Sequence, residues 1–194
     1  MALTLRPPFR LATGADAPVL AELVNYAGEG MPEYLWSTMA GPGQDPWEIG
    51  RQRQAKKAEE GQIFVVDEGN GAIASLTGYA ISPDPEPIPD DMPAMFRPLQ
   101  ELENMAPATW YVNVLATVPT ERGKGHGTRL LSLAEELARD AGLSGLSIIV
   151  AGNNHGACRL YERSGYREIA RRANVPQGWQ TDITEWVLLI KPLG

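Results

Sequence analysis

The sequence predicts an α/β layer structure with a local parallel strand pair. Three observations carry this. Beyond residue 108 the pattern reads strand, helix, strand, helix, strand. A Gly-rich turn joins a hydrophobic strand to an amphipathic helix. The 194 residues are 43% hydrophobic and 21% charged, which suits one globular domain spanning residues 1–194 and not wholesale disorder.

Leu3 to Ala12 reads as a first strand, and Pro7 and Pro8 within it favour a sheet edge or a bulge. Ala15 to Tyr26 reads as a helix, with Pro18 near its start and Leu20, Leu23, Val24 and Ala27 on one face. A short helix is expected between Gly28 and Gly43. Asp45 then suits an N-cap, with Pro46 at the first helical position and Glu48 three residues on, for a helix reaching about Glu59. Gln62 to Asp67 and Ala72 to Ile81 form two strands around the hairpin turn Glu68-Gly-Asn-Gly.

Ser82 to Pro107 breaks this rhythm. It holds seven of the 16 prolines and six acidic residues against the single Arg97. The segment reads as an insertion, either a solvated loop with short helix or a lid that selects substrate. Thr109 to Val118 is a buried strand, and Gly123 to Ala141 is a helix stopped by Gly142. Leu146 to Ala151, Asn154 to Arg163, Tyr166 to Ala173 and Ile183 to Ile190 read as strand, helix, strand and strand.

The segment Val118-Pro-Thr-Glu-Arg-Gly-Lys-Gly-His-Gly-Thr128 asks for a phosphate. Gly123, Gly125 and Gly127 let backbone approach a ligand closely, and the first helical N–H groups point at it. Arg122 and Lys124 add positive charge. A P-loop would need Ser or Thr after Lys124, where Gly125 stands. A dinucleotide fingerprint needs a third glycine where Thr128 or Leu130 stands. Arg122-Gly-Lys-Gly125-His-Gly127 resembles the Arg/Gln-x-x-Gly-x-Gly/Ala turn of the GNAT superfamily of N-acyltransferases. Downstream, Asn154-His-Gly-Ala157-Cys-Arg-Leu160-Tyr161-Glu-Arg-Ser-Gly165-Tyr166 resembles the second motif of that family. The two motifs and their strands cover about Trp110 to Tyr166.

The resemblance implies a mixed, mostly antiparallel sheet flanked by helices, with a central parallel strand pair that splays apart. It implies acetyl-CoA as acyl donor and a primary amine as acceptor. The pyrophosphate would sit on Arg122, Gly123, Lys124, Gly125, His126, Gly127 and Thr128, and the pantetheine arm on backbone groups of Leu115, Ala116 and Thr117. Asn154, Ala157 and Tyr161 fall at i, i+3 and i+7, hence on one helical face. Asn154 would contact the ligand and small Ala157 would let it pass. Tyr161 would protonate the leaving thiolate. No base is evident. Glu101 and Glu103 are candidates, as are Glu29 and Glu33 beside Tyr34 and Trp36. Dimers are common in the family, so a homodimer is one expectation.

The other expectations are negative. The formal charge of −7 argues against a nucleic-acid or membrane-surface partner, yet leaves room for one local phosphate site. The acidic insertion favours a cationic acceptor. Cys158 is the single cysteine, so no disulfide is expected within the chain; neither it nor His155, three residues away, is expected to act as a nucleophilic pair. One cysteine and two histidines suggest no metal cluster. No signal peptide or long apolar span is apparent, which points to the cytoplasm. A non-catalytic acyl-CoA-binding regulatory module is the alternative function. A nucleotide-dependent kinase or dehydrogenase is a third.

Overall fold

The computed structural model describes residues 4–194. The helices are α1 (Ala17–Ala27), α2 (Met31–Met39), α3 (Pro46–Glu59), α4 (Arg97–Glu103), α5 (His126–Asp140) and α6 (His155–Arg163). The strands are β1 (Phe9–Leu11), β2 (Ile63–Asp67), β3 (Ala72–Ala80), β4 (Thr109–Thr117), β5 (Gly145–Ala151), β6 (Arg167–Ala173) and β7 (Glu185–Pro192). They form a seven-stranded sheet in the order β1-β2-β3-β4-β5-β7-β6. The pairs β1–β2, β2–β3, β5–β7 and β6–β7 are antiparallel, and β4–β5 is parallel. The mixed, mostly antiparallel sheet and its central parallel pair are as expected.

By backbone proximity the described chain divides into two compact units. The first holds residues 79–113 and 131–194, and the second holds residues 4–78 and 114–130. Strands β3 and β4 each contribute residues to both.

In the second unit, the predicted first strand shrinks to Phe9–Leu11 at the sheet edge. Pro7 and Pro8 lack the N–H donors that would extend its ladder. The predicted residue Leu3 lies outside the described residues. Ala12, Leu20, Leu23, Ala58, Ile63, Val65, Ala72 and Ala116 form a buried apolar cluster. Asp45 caps α3 as predicted, its carboxylate accepting from the Trp47 N–H at 3.0 Å. Gly50 of α3 leaves room for the Trp36 ring of α2, since a Cβ there would lie 2.6 Å from it. Trp36 is buried and meets Trp47 edge-on, with ring centroids 5.4 Å apart.

An ion cluster fixes the entry to this unit. Arg10 donates to both carboxylate oxygens of Asp16, at 2.8 Å each, and to Asp67 at 2.9 Å. The Arg10 guanidinium is the main cause of an Asp16 pKa lowered to about 2, reinforced by the Thr13 N–H. The folded value lies below the ordinary 3.8, so the stabilisation is fully present above about pH 4 and is lost as pH falls toward 2. It amounts to about 2 kcal/mol. Urea unfolding at pH 7 should therefore find Asp16→Asn less stable by about this amount. The difference should vanish as the pH approaches 2.

In the first unit, the parallel register pairs Thr109–Val112 with Gly145–Ile148. The buried hydroxyls of Thr109 and Ser147 meet at 2.8 Å, and Thr109 also donates to the Ala106 carbonyl at 2.7 Å. These bonds satisfy polar groups that would otherwise be costly to bury. Leu146, Ile148, Leu188 and Leu189 supply the apolar interior on β5 and β7. The Pro-rich stretch 82–107 is part of this unit. It contains α4, and the Asn104 side chain ties it together by donating to the Glu86 carbonyl and accepting from the Glu86 N–H.

Candidate functional site

Within the second unit, the turn before α5 departs from its predicted boundary. The helix starts at His126, not Gly123. Gly123 and Gly125 hold φ of +79° and +88°, left-handed values that no continuing helix allows. A Cβ on either would meet nothing within 4 Å, so the backbone of the turn is open on that side. Past it, the first N–H groups of α5 lack intrahelical acceptors and carry the positive end of its dipole.

The turn's charges are more modest than its two cations suggest. Lys124 pairs with Glu121 at 2.8 Å, and that ammonium is the main cause holding the Glu121 carboxyl below its ordinary range. The Arg122 guanidinium stands 5.4 Å from the centre of the Tyr26 ring, a cation–π arrangement, and donates to the Thr117 carbonyl at 3.3 Å. Arg122 and Lys124 are exposed. The His126 side chain is only 2% exposed, and neither ring nitrogen has a hydrogen-bond partner. Its Nε2 lies 3.7 Å from Glu121. His126 can thus offer a ligand its backbone N–H, not its ring. Ala116 belongs to the apolar cluster, while Leu115 and Thr117 are half-buried.

Asn154, Ala157 and Tyr161 belong to the first unit. Asn154 precedes α6 as its N-cap, and its side-chain oxygen accepts from the Ala157 N–H at 3.0 Å. The spacing that puts these residues on one face therefore also closes a cap. Ala157 is half-buried. Tyr161 is 5% exposed and packs on Tyr166, ring centroids 5.8 Å apart. The Tyr166 hydroxyl is buried without a partner, and burial pushes its pKa far up.

A cluster that sequence reasoning did not assemble lies in this unit. The Tyr79 hydroxyl on β3 donates to Glu103 at the end of α4, at 2.9 Å. The Tyr79 ring lies 5.3 Å from the buried ring of Tyr111 on β4. Burial pushes the Tyr111 pKa well up, and Asn113 stands two residues along its strand. Burial raises the Glu103 pKa, and the bond from Tyr79 opposes that only in part. The signal that could have found this group was the alternation Tyr111, Asn113 on one strand face.

The other candidate carboxylates are engaged. Glu101 pairs with Arg172 at 2.7 Å. Glu33 accepts from the Trp47 indole at 3.1 Å and from the Asn25 amide at 3.4 Å. Trp36 is core rather than pocket lining. Burial is the leading cause of a raised Cys158 pKa, which disfavours the thiolate a nucleophile requires. Among the described residues, no group of three or more His, Cys, Asp or Glu could hold a metal ion. No helix among them is long and apolar enough to cross a membrane.

Comparison with known proteins bears on the family and the fold. The family model described as the acetyltransferase (GNAT) family matches residues 29–166. The uncharacterized N-acetyltransferase YhfO of Bacillus subtilis (strain 168) is 41% identical over 59 residues, 30% of this chain; the match spans only 40% of that relative's length. A mosquito arylalkylamine N-acetyltransferase like 5b superposes with a TM-score of 0.67 at 19% identity, covering 95% of this chain and 99% of its own. An acetyltransferase of Bacillus anthracis str. Ames, solved in complex with acetyl coenzyme A, gives a TM-score of 0.50 at 17% identity over 68% of this chain and 61% of its own. At these identities the solved structures speak for the fold. The family match spans most of the sequence and both motifs: the chain belongs to the GNAT family of acetyltransferases.

Proposed function

We propose that the protein transfers an acetyl group from acetyl-CoA to a primary amine by direct attack. The observation that carries this reading is the open turn at Gly123 and Gly125 leading into α5. The turn suits a pyrophosphate, because a Cβ at Gly123 or Gly125 would meet nothing within 4 Å and the exposed Arg122 and Lys124 stand beside them. The backbone N–H groups of Gly123 to Thr128 would hold the phosphates, with Arg122 and Lys124 adding charge. Backbone groups of Leu115, Ala116 and Thr117 would pair with the pantetheine arm as an added strand does, which tolerates many side chains. In the first unit, Asn154 caps the start of α6 and Ala157 is a small residue on it, which suits the donor contact that the family resemblance implies for both.

The chemistry sets two demands. An alkyl ammonium with a pKa of about 10 must lose a proton before its nitrogen can attack. The departing thiolate, with a reference pKa of about 8.5, gains from a proton. Tyr161 is the donor in this reading, and the nearby charge-bearing groups share its unit. The names of two similar proteins, an arylalkylamine N-acetyltransferase and an acetyl coenzyme A complex, support the same donor and acceptor classes. A cytoplasmic, monomeric or homodimeric enzyme without a metal completes the reading.

Thiol release with acetyl-CoA and a panel of primary amines tests it. Amine-dependent release with equimolar amide product is the expected result. An enzyme that binds acetyl-CoA yet acylates nothing in the panel would instead be the non-catalytic acyl-CoA-binding module.

A further inference from the structure

We propose that Glu103, held by the Tyr79 hydroxyl beside Tyr111, receives the proton that the acceptor ammonium must lose. The proposal rests on the transfer reading above and names the base that it leaves open. Glu103 is half-buried, at the end of α4, with a tyrosine rather than a cation as its hydrogen-bond partner. Glu101, two residues earlier, is instead paired with Arg172. Arg172 also points at the Met105 sulfur, at 3.6 Å, and so is committed on that side of α4. The groups facing Glu103 from the sheet are Tyr79 and Tyr111, which carry no charge at neutral pH. Tyr79 is 44% exposed, so the cluster opens to solvent there. The exposed Tyr79 ring and the Glu103 carboxylate together suit a primary ammonium. Burial raises the Glu103 pKa above the ordinary carboxylate range, the direction a general base requires.

The step balances without an added reactant. The ammonium N–H bond breaks and its proton goes to the Glu103 carboxylate, directly or through one water. The freed nitrogen lone pair forms the new C–N bond at the thioester carbonyl. The C–S bond then breaks, its electron pair leaving on sulfur, which takes a proton from the Tyr161 hydroxyl. The second nitrogen proton restores Tyr161, and Glu103 returns its proton to solvent. Glu103, Tyr79, Tyr111 and Tyr161 all belong to the first unit.

The test measures thiol release against pH, with 2-phenylethylamine and with spermidine, for the native enzyme and for Glu103→Gln, Tyr79→Phe and Glu101→Gln. Glu103→Gln should lower kcat/KM by about 100-fold at pH 7, with the loss closing near pH 10 where the amine is neutral unaided. Its acetyl-CoA affinity should stay native. Tyr79 is a positioning residue: its bond favours the ionised carboxylate, so Tyr79→Phe should move the acid limb of the profile to higher pH. A residue with a merely structural role would lower the rate without moving that limb. Glu101→Gln should leave the profile in place. A native pH profile in Glu103→Gln overturns the proposal and leaves the transfer reading standing. If Glu103→Gln does not fold, an unshifted acid limb in Tyr79→Phe overturns it instead. A native enzyme that binds acetyl-CoA but releases no thiol with any amine overturns the transfer reading, and with it the proposal.

Discussion

Tyr161→Phe should lower kcat by about 100-fold while acetyl-CoA binds with native affinity. The substitution removes one oxygen from a side chain that is almost wholly buried and packs on Tyr166. The ring contacts persist, so the variant should fold normally. On the proposed mechanism, what is lost is a proton for sulfur at the moment the C–S bond breaks, which lies on the path to product and not in the bound state. The effect belongs in kcat rather than in the affinity for the donor. Tyr166→Phe is the matching control. Its hydroxyl is buried and unpaired, so removing it should leave turnover unchanged and should not destabilise the fold. Native turnover in Tyr161→Phe would take that residue out of the mechanism.

Gly125→Val should weaken acetyl-CoA binding by roughly 100-fold. The native φ of +88° is costly for a residue with a Cβ and worse for a β-branched one. The variant turn relaxes in the free protein, and binding must restore the strained shape. That strain alone, about 1–2 kcal/mol, corresponds to about 5- to 30-fold in affinity. The isopropyl group would also stand in the open space assigned to the phosphates by the proposed function. Gly69→Val separates strain from site. Gly69 has a φ of +108° and equally open surroundings, but it sits in the β2–β3 hairpin. It should lose stability and keep native affinity. Equal affinity losses in both variants would show that the turn before α5 has no special role.

Much of this was legible because it is local. Asp45 caps α3, and Asn154 caps α6 within the segment that marks the family. Each strand from β2 onward falls within two residues of its predicted limits, because alternation and apolar runs report burial directly. What was not legible depends on pairing across the fold. The Tyr79–Glu103 bond joins residues 24 apart in sequence, through an insertion whose course no periodicity reveals. The Lys124–Glu121 pair halves the apparent charge of the turn, although Glu121 immediately precedes the motif. The α5 boundary was missed because glycine permits both a helical start and the left-handed turn that Gly123 and Gly125 adopt. The role of Trp36 depended on Gly50, fourteen residues away, which makes room for its ring.

The central claim is that the turn at Gly123 and Gly125 holds the phosphates of acetyl-CoA. Calorimetric titration of the native protein with acetyl-CoA, and in parallel with ATP and NAD, tests it most directly. Saturable binding of one acetyl-CoA per chain is expected, weakened roughly 100-fold in Gly125→Val and retained in Tyr161→Phe, with no comparable response to ATP or NAD. Binding of ATP or NAD without binding of acetyl-CoA would contradict it.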